Sequence, residues 1–220
     1  MQTKTIRIRK VYVFAALFII ILAITVSMVQ KTFTVYEEAL PDPLEDISDI
    51  ELIQLSEPSE ELPRAVISTT AGDITIVLYE NEAPNAVSIF RDNAAQGNID
   101  GVNIQLYELG TVFTIDVPDR AYEAELHKNL WPFKGALCMN ETGDIIFVNT
   151  VEFSDEDREY LSSEGELSEV RSAFLENGGV PNYSRQFAVF GQVTEGMDVL
   201  EKIASSPVSS VITVNSVTIQ

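Results

Sequence analysis

A mainly β fold is predicted for this chain: a closed antiparallel barrel of eight short strands, capped by helices and preceded by one transmembrane helix. Three observations predict it. Residues 11–29 form an unbroken apolar run. Beyond residue 64 the sequence breaks into many short apolar runs separated by turn residues, and only two or three stretches there have helical spacing. Closing such a sheet removes its exposed edges. A chain of 220 residues with 45% apolar content suffices for one packed domain and an extra segment.

The apolar run, VYVFAALFIIILAITVSMV, holds no charge, Pro or Gly. As a helix rising about 1.5 Å per residue it nearly matches a bilayer core of about 30 Å. Lys4, Arg7, Arg9 and Lys10 precede it with no acid, whereas Lys31 behind it is followed by Glu37, Glu38 and a long acidic stretch. The positive-inside rule therefore makes residues 1–10 a cytoplasmic tail and residues 11–29 a single-pass anchor in the cell membrane, with the rest of the chain extracytoplasmic. A cleaved signal peptide has a shorter apolar stretch, about 7–15 residues, and ends in a small-x-small site, for which Thr25-Val26-Ser27 is a poor match. No Cys follows the run, which argues against a lipoprotein. With either an anchor or a cleaved signal the domain is exported.

Residues 30–63 are expected to be an acidic linker. From residue 37 onward they carry prolines 41, 43, 58 and 63 and no basic residue. Self-repulsion favours an extended, solvated spacer. Apolar residues at 47, 50, 52, 53 and 55 leave a short helix or a docking strand open as the alternative.

Charge narrows the partners. The chain stands at −20, and beyond the N-terminus it has no Lys/Arg cluster. Nucleic acid, which needs a basic footprint, is excluded. Cys138 is the single cysteine and His127 the single histidine, so neither an internal disulfide nor a spaced metal-ligand set is expected, and no cofactor is implied. Cys138 reads as buried packing, and His127 as an exposed loop residue. Trp131, in a segment with Pro132, is read as packing a loop onto the barrel, with a binding aromatic as the alternative.

The folded domain is placed at residues 64–220. Residues 65–79 alternate on either side of Ala71-Gly72-Asp73, which predicts a hairpin with Ile74, Ile76 and Leu78 on one face. Pro84 suits a helix start, and Val87, Phe90 and Ala94 then recur at helical spacing up to Gly97. Further strands are expected at residues 102–109, 111–115, 136–139, 145–149, 187–193 and 211–219, with a helix at 197–204. Residues 153–177 begin with Ser154 as an N-cap and an acidic first turn, then place Leu167, Val170, Phe174 and Leu175 at helical spacing. They read as a helical insertion and a possible partner surface.

The order of these segments resembles the cyclophilin family, in a bacterial, membrane-anchored form. Thr69-Thr70-Ala71-Gly72-Asp73-Ile74 is similar to its first hairpin. Ala83-Pro84-Asn85-Ala86-Val87-Ser88-Ile89-Phe90 resembles its A-P-x-x-V-x-x-F helix start, and Asp100-Gly101-Val102 its Y-D-G segment. Gly135-Ala136-Leu137-Cys138-Met139 resembles G-x-L-S-M. Val189-Phe190-Gly191-Gln192-Val193 with Glu195-Gly196-Met197-Asp198-Val199 resembles V-F-G-x-V-x-x-G-M-D-V, and residues 176–181 resemble a loop of bacterial members. The resemblance implies a cyclophilin-like eight-stranded barrel and peptidyl-prolyl cis-trans isomerase chemistry.

That chemistry must lower an amide-rotation barrier of about 18–20 kcal/mol by stabilising a twisted amide. In the family an arginine ending an F-H-R triplet acts over a hydrophobic proline pocket; the matching triplet here is Ile104-Gln105-Leu106, so Leu106 stands for the arginine. The family's F-M-I-Q corresponds to Thr111-Val112-Phe113-Thr114, with Thr114 for the glutamine. Its G-S-Q-F-F-I corresponds to Gly143-Asp144-Ile145-Ile146-Phe147-Val148, with Ile145 for the glutamine. W-L-D-G-x-H corresponds to Asn182-Tyr183-Ser184-Arg185-Gln186-Phe187. The resemblance thus implies a degenerate active site with no catalytic residue, with degenerate positions at Leu106, Thr114 and Ile145. Val112, Phe147, Tyr183 and Phe187 are the candidates to line a peptide groove. Arg185 is the one cation nearby in sequence.

Three functions stay open on these residues: binding a peptide or protein segment, proline-containing by resemblance, with weak or no isomerase activity; active prolyl isomerisation of exported proteins; or a structural role as an envelope interaction subunit.

Overall fold

The computed structural model of the protein describes residues 49–108, 112–118, 122–150, 152–165, 167–207 and 209–220. The chain divides into the units Met1–Pro43 and Leu44–Gln220, and the second is the one described. The expected tail (1–10), anchor (11–29) and first part of the linker (30–48) lie outside the described residues. Among the described residues no helix is long and apolar enough to cross a membrane.

Alternation in the hairpin sets the first face of the sheet. Strands β1 (Arg64–Thr69) and β2 (Gly72–Leu78) pair antiparallel, with Thr69 opposite Gly72. The turn residues are therefore Thr70 and Ala71, slightly earlier than the expected Ala71-Gly72-Asp73. Thr69 fixes this choice: its hydroxyl accepts from the amides of Ala71 and Gly72 and donates to the Gly72 carbonyl, at 3.1, 3.2 and 2.7 Å. Ile74, Ile76 and Leu78 all point inward and are fully buried, each contributing about 1.5–3 kcal/mol of burial.

Helix α1 (Pro84–Gln96) starts at its proline as expected, but its N-cap, Ala83, makes no side-chain bond. A distant carboxylate does this work instead. Glu125 accepts from the amides of Asn85 and Ala86 and from the Asn85 side chain at 2.7–3.1 Å, satisfying orphan donors and complementing the helix dipole. The remaining strands are β3 (Gln105–Glu108), β4 (Val112–Ile115), β5 (Ala136–Met139), β6 (Ile145–Val148), β7 (Ala188–Glu195) and β8 (Val214–Ile219). The insertion folds into α2 (Asp155–Leu161), opened by a capping box between Ser154 and Asp157, and α3 (Ser168–Asn177). Helix α4 spans Met197–Ala204.

All eight strands join one antiparallel sheet in the order β3-β4-β6-β5-β7-β2-β1-β8. The expectation of a closed barrel is corrected: the sheet is an open, curled half-barrel whose ladder ends at β3 and β8. The physical reason lies in the short outer strand. β3 has four residues and a register shift between Leu106 and Glu108, so no continuous ladder forms across the seam. Among the described residues the two edges meet at an isolated Asn103–Thr213 bridge, flanked by backbone bonds from Ile104 to Ile212, from Val214 to Val102 and from Gly101 to Val214.

Both faces of the curl are covered. Inside, Ile67, Ile76, Phe113, Leu137, Phe147 and Phe190 pack with α1 and α4, where Phe90 meets Phe190 at 5.6 Å between ring centroids. Outside, Ala136, Cys138, Ile146, Val148 and Val189 form a second cluster under Leu130, Tyr183 and Phe187. A third cluster ties Trp131 and Phe133 to Leu161, Val170 and Phe174 of the insertion. This two-sided burial explains why β5 and β6 read as continuous apolar runs.

Residues 49–63 lie against the domain, with a short 3₁₀ turn at Ile53–Leu55 and no strand. Ile53 and Leu62 pack on the outer cluster, and Ile50 and Leu52 on the third. Gln54 is buried between them, donating to the Gln192 side chain at 2.9 Å and accepting the Trp131 amide at 2.6 Å. The apolar spacing at 50, 52 and 53 outweighs the charge of the surrounding acids because the charged ends stay in water.

Candidate functional site

The resemblance directs attention to β3 and β4 and to the 3₁₀ turn Pro181–Tyr183. Strand alternation decides what these elements present. Leu106 lies opposite Phe113, which is fully buried and stacks on Phe147 at 4.7 Å and 12°. Leu106 accordingly packs against the inner core. The next pair, Gln105 opposite Thr114, faces the other way. Gln105 donates to the Asp116 carboxylate, and the Thr114 hydroxyl donates to the same carboxylate at 3.4 Å. The outward pair on these strands is thus neutral and backed by an acid.

A second polar knot sits at the β5–β6 turn. Asp144 accepts from the Asn140 side chain, the Thr142 hydroxyl and the Val117 amide at 2.9, 2.6 and 3.2 Å. Each donor stabilises the carboxylate in place. Ile145, the degenerate position read for the family's glutamine, points inward opposite Met139 and is buried.

The four groove candidates do not converge. Phe147 is inside the curl. Tyr183 and Phe187 meet edge to face on the outer side, 4.9 Å apart at 87°. The side chain of Val112 lies outside the described residues. Ile146 and Val148 are the β6 residues that share the outer cluster with Tyr183 and Phe187. The signal was available in the period of two: once Ile145 and Phe147 face inward, Ile146 must face out.

Arg185 occupies the position of the glycine in the family's W-L-D-G-x-H segment, and its φ of 67° is the left-handed conformation that glycine adopts freely. Together with Leu126, His127, Leu130, Trp131 and Phe187 it lines a small recess beside the outer cluster. Trp131 is a packing residue, its indole N–H donating to the Lys128 carbonyl at 2.8 Å. His127 is half-buried, and its Nδ1 accepts the Asn129 amide at 3.3 Å. Cys138 is fully buried, which pushes its thiol far above the usual range and leaves it inert. Burial, opposed by a bond from the Glu125 amide and reinforced by the Glu125 carboxylate, raises Tyr122 to about 12. Among the described residues no group of three or more His, Cys, Asp or Glu is arranged to hold a metal.

The sequence profile of the family described as cyclophilin type peptidyl-prolyl cis-trans isomerase/CLD matches residues 64–220. The chain belongs to this family. Among its cyclophilin-type relatives, a Staphylococcus aureus chain described as a candidate peptidyl-prolyl cis-trans isomerase is 28% identical over 164 residues, covering 66% of this chain and 82% of its own length. A Streptococcus pyogenes chain, described as a candidate bifunctional phosphatase/peptidyl-prolyl cis-trans isomerase, is 28% identical over 176 residues; the match covers 71% of this chain but only 37% of that protein. Two crystal structures of a Cryptosporidium parvum cyclophilin share the fold. One has a TM-score of 0.56 at 14% identity, covering 72% of this chain and 98% of that one. The other, determined in the presence of the dipeptide Ala-Pro, has a TM-score of 0.54 at 15% identity, covering 71% and 98%.

Proposed function

We propose that this cyclophilin-type domain works outside the cytoplasm, tethered to the membrane by residues 11–29, and holds proline-containing peptide segments of exported proteins with weak or no turnover. The observation that carries the reading is the outward pair on β3 and β4. At the position of the family arginine this chain has Leu106, turned against the inner core, and at that of the glutamine Thr114; the outward neighbour of Leu106 on β3 is the neutral Gln105. Losing one preorganised donor costs an enzyme about 10²- to 10³-fold, and a neutral amide anchored to Asp116 cannot replace a guanidinium. The peptide ligand is suggested by the family and by the Cryptosporidium cyclophilin determined in the presence of Ala-Pro. The membrane tether is suggested by the apolar run and the cations before it.

An active prolyl isomerase is the second reading, favoured by the family match itself. One experiment separates the two. The full chain in mild detergent is titrated with a peptide bearing a single Ala-Pro bond while cis-trans exchange is followed by NMR. Saturable shifts on the outer face with exchange at the uncatalysed rate are expected. Acceleration equal to that of the Staphylococcus aureus relative, measured side by side, would establish the second reading instead.

A further inference from the structure

The helical insertion has no part in the reading above, yet it builds a cavity. Between α2 and the 3₁₀ turn lies a recess of about 150 Å³, lined chiefly by Phe153, Asp157, Tyr160, Leu161, Pro181 and Tyr183. A cavity of about that volume takes one benzene-sized group, well below the roughly 300 Å³ or more that drug-sized ligands need. Its occupant is therefore the size of a single side chain.

We propose that this recess binds one basic side chain, lysine or arginine, of a partner polypeptide. Three of the lining residues are aromatic and one is a carboxylate, the combination that favours a cation by ring quadrupole and charge together. The carboxylate is held ionised: bonds from the Ser154 hydroxyl and amide lower the Asp157 pKa, and both go to Oδ2. A carboxylate has a second oxygen to offer. Two of the rings already draw guanidinium groups from this chain, Arg158 at 6.0 Å from Phe153 and Arg171 at 5.5 Å from Tyr160, and neither arginine lines the recess. Residues 152–185 contain nine acids against three arginines, so the local field attracts a cation and repels an anionic partner. The recess also adjoins the outer face, because Tyr183, one of its walls, meets Phe187 edge to face. A segment lying on that face can thus place a neighbouring side chain in the recess, a specificity that rests on the peptide-binding reading.

The test uses the full chain and two probes. n-Butylammonium chloride and 1-butanol are compared by their effects on the amide signals of Tyr160, Leu161 and Tyr183. Saturable shifts with the cation alone are expected, weakened when salt is raised from about 0.05 to about 0.5 M. Asp157→Asn, which keeps an oxygen for Ser154 to bond, should weaken them further. Tyr160→Ser, on a ring 62% exposed, gives a second variant that leaves the core untouched. The other probe is a single-proline hexapeptide with lysine or norleucine scanned through its positions. At one position or more, lysine should tighten binding about fivefold, as about 1 kcal/mol of cation recognition requires. Equal shifts with butanol, or no shift with butylammonium, overturn the proposal. If the peptide still binds in that case, peptide binding by the outer face stands without the recess. Butylammonium binding with no peptide binding keeps the cation site and removes the peptide-binding reading.

Discussion

Leu106 and Gln105 are adjacent in β3, and the pleat sends them to opposite faces. Restoring the family arginine at 106 therefore places a cation against the inner core. Leu106→Arg should cost about 3 kcal/mol or more, seen as a lower urea midpoint, and should give no gain in X-Pro exchange. Gln105→Arg points outward toward Asp116, so its unfolding free energy in urea should change by no more than about 0.5 kcal/mol. Arg185 makes a different argument. Its positive φ stands where the family has glycine, and Arg185→Gly should raise stability by about 0.5–1 kcal/mol, with an unchanged denaturant slope.

Among the elements, residues 49–63 depend on Gln54. Gln54→Ala leaves the buried Trp131 amide without its acceptor and breaks the contact to Gln192, which should cost about 1–3 kcal/mol in thermal or urea unfolding. Gly179 locks the insertion to the loop before β5. Its φ is 125°, and an added Cβ would lie 2.3 Å from the Pro132 carbonyl oxygen and 2.7 Å from the Phe133 Cα, both of them backbone. Gly179→Ala should therefore cost about 3 kcal/mol or more and broaden the amide signals of α3 first.

The elements also show what a sequence discloses. The β1–β2 hairpin, α1 and α4 were legible because period, proline and glycine signals agree locally. The site was less so. Motif spacing gave Leu106, Thr114 and Tyr183 their places along the chain, but spacing carries no register, and register decides that Phe147 and Ile145 face in while Ile146 faces out. The Glu125 cap on α1 was invisible for the same reason, since its partners lie about 40 residues apart. Docking of residues 49–63 was only half legible: the apolar spacing was present, but the Gln54 bridge spans 77 residues to Trp131.

For the whole molecule, the buried tyrosines set an alkaline limit. The Tyr122 hydroxyl accepts the Glu125 amide at 3.0 Å, and its pKa is pushed from the usual 10.0 to about 12. Tyr79 is raised as well, by burial and then by the charge of Glu82. A raised pKa means that the folded state holds the proton more tightly. The stability this gives is fully present below pH 10 and is lost as pH rises toward 12 and beyond. The urea midpoint should fall across that window, and Tyr122→Phe should flatten the fall.

The order of the sheet has a further consequence, for the growing polypeptide. β1 is flanked by β2, made moments after it, and by β8, which is synthesised only after every other strand of the sheet. Until then β1 keeps a bare edge, and Asn103 lacks its bridge to Thr213. A nascent chain halted before Val214 is therefore a sticky intermediate that must be shielded or destroyed. Synthesis of β8 is what commits the sheet to its native shape.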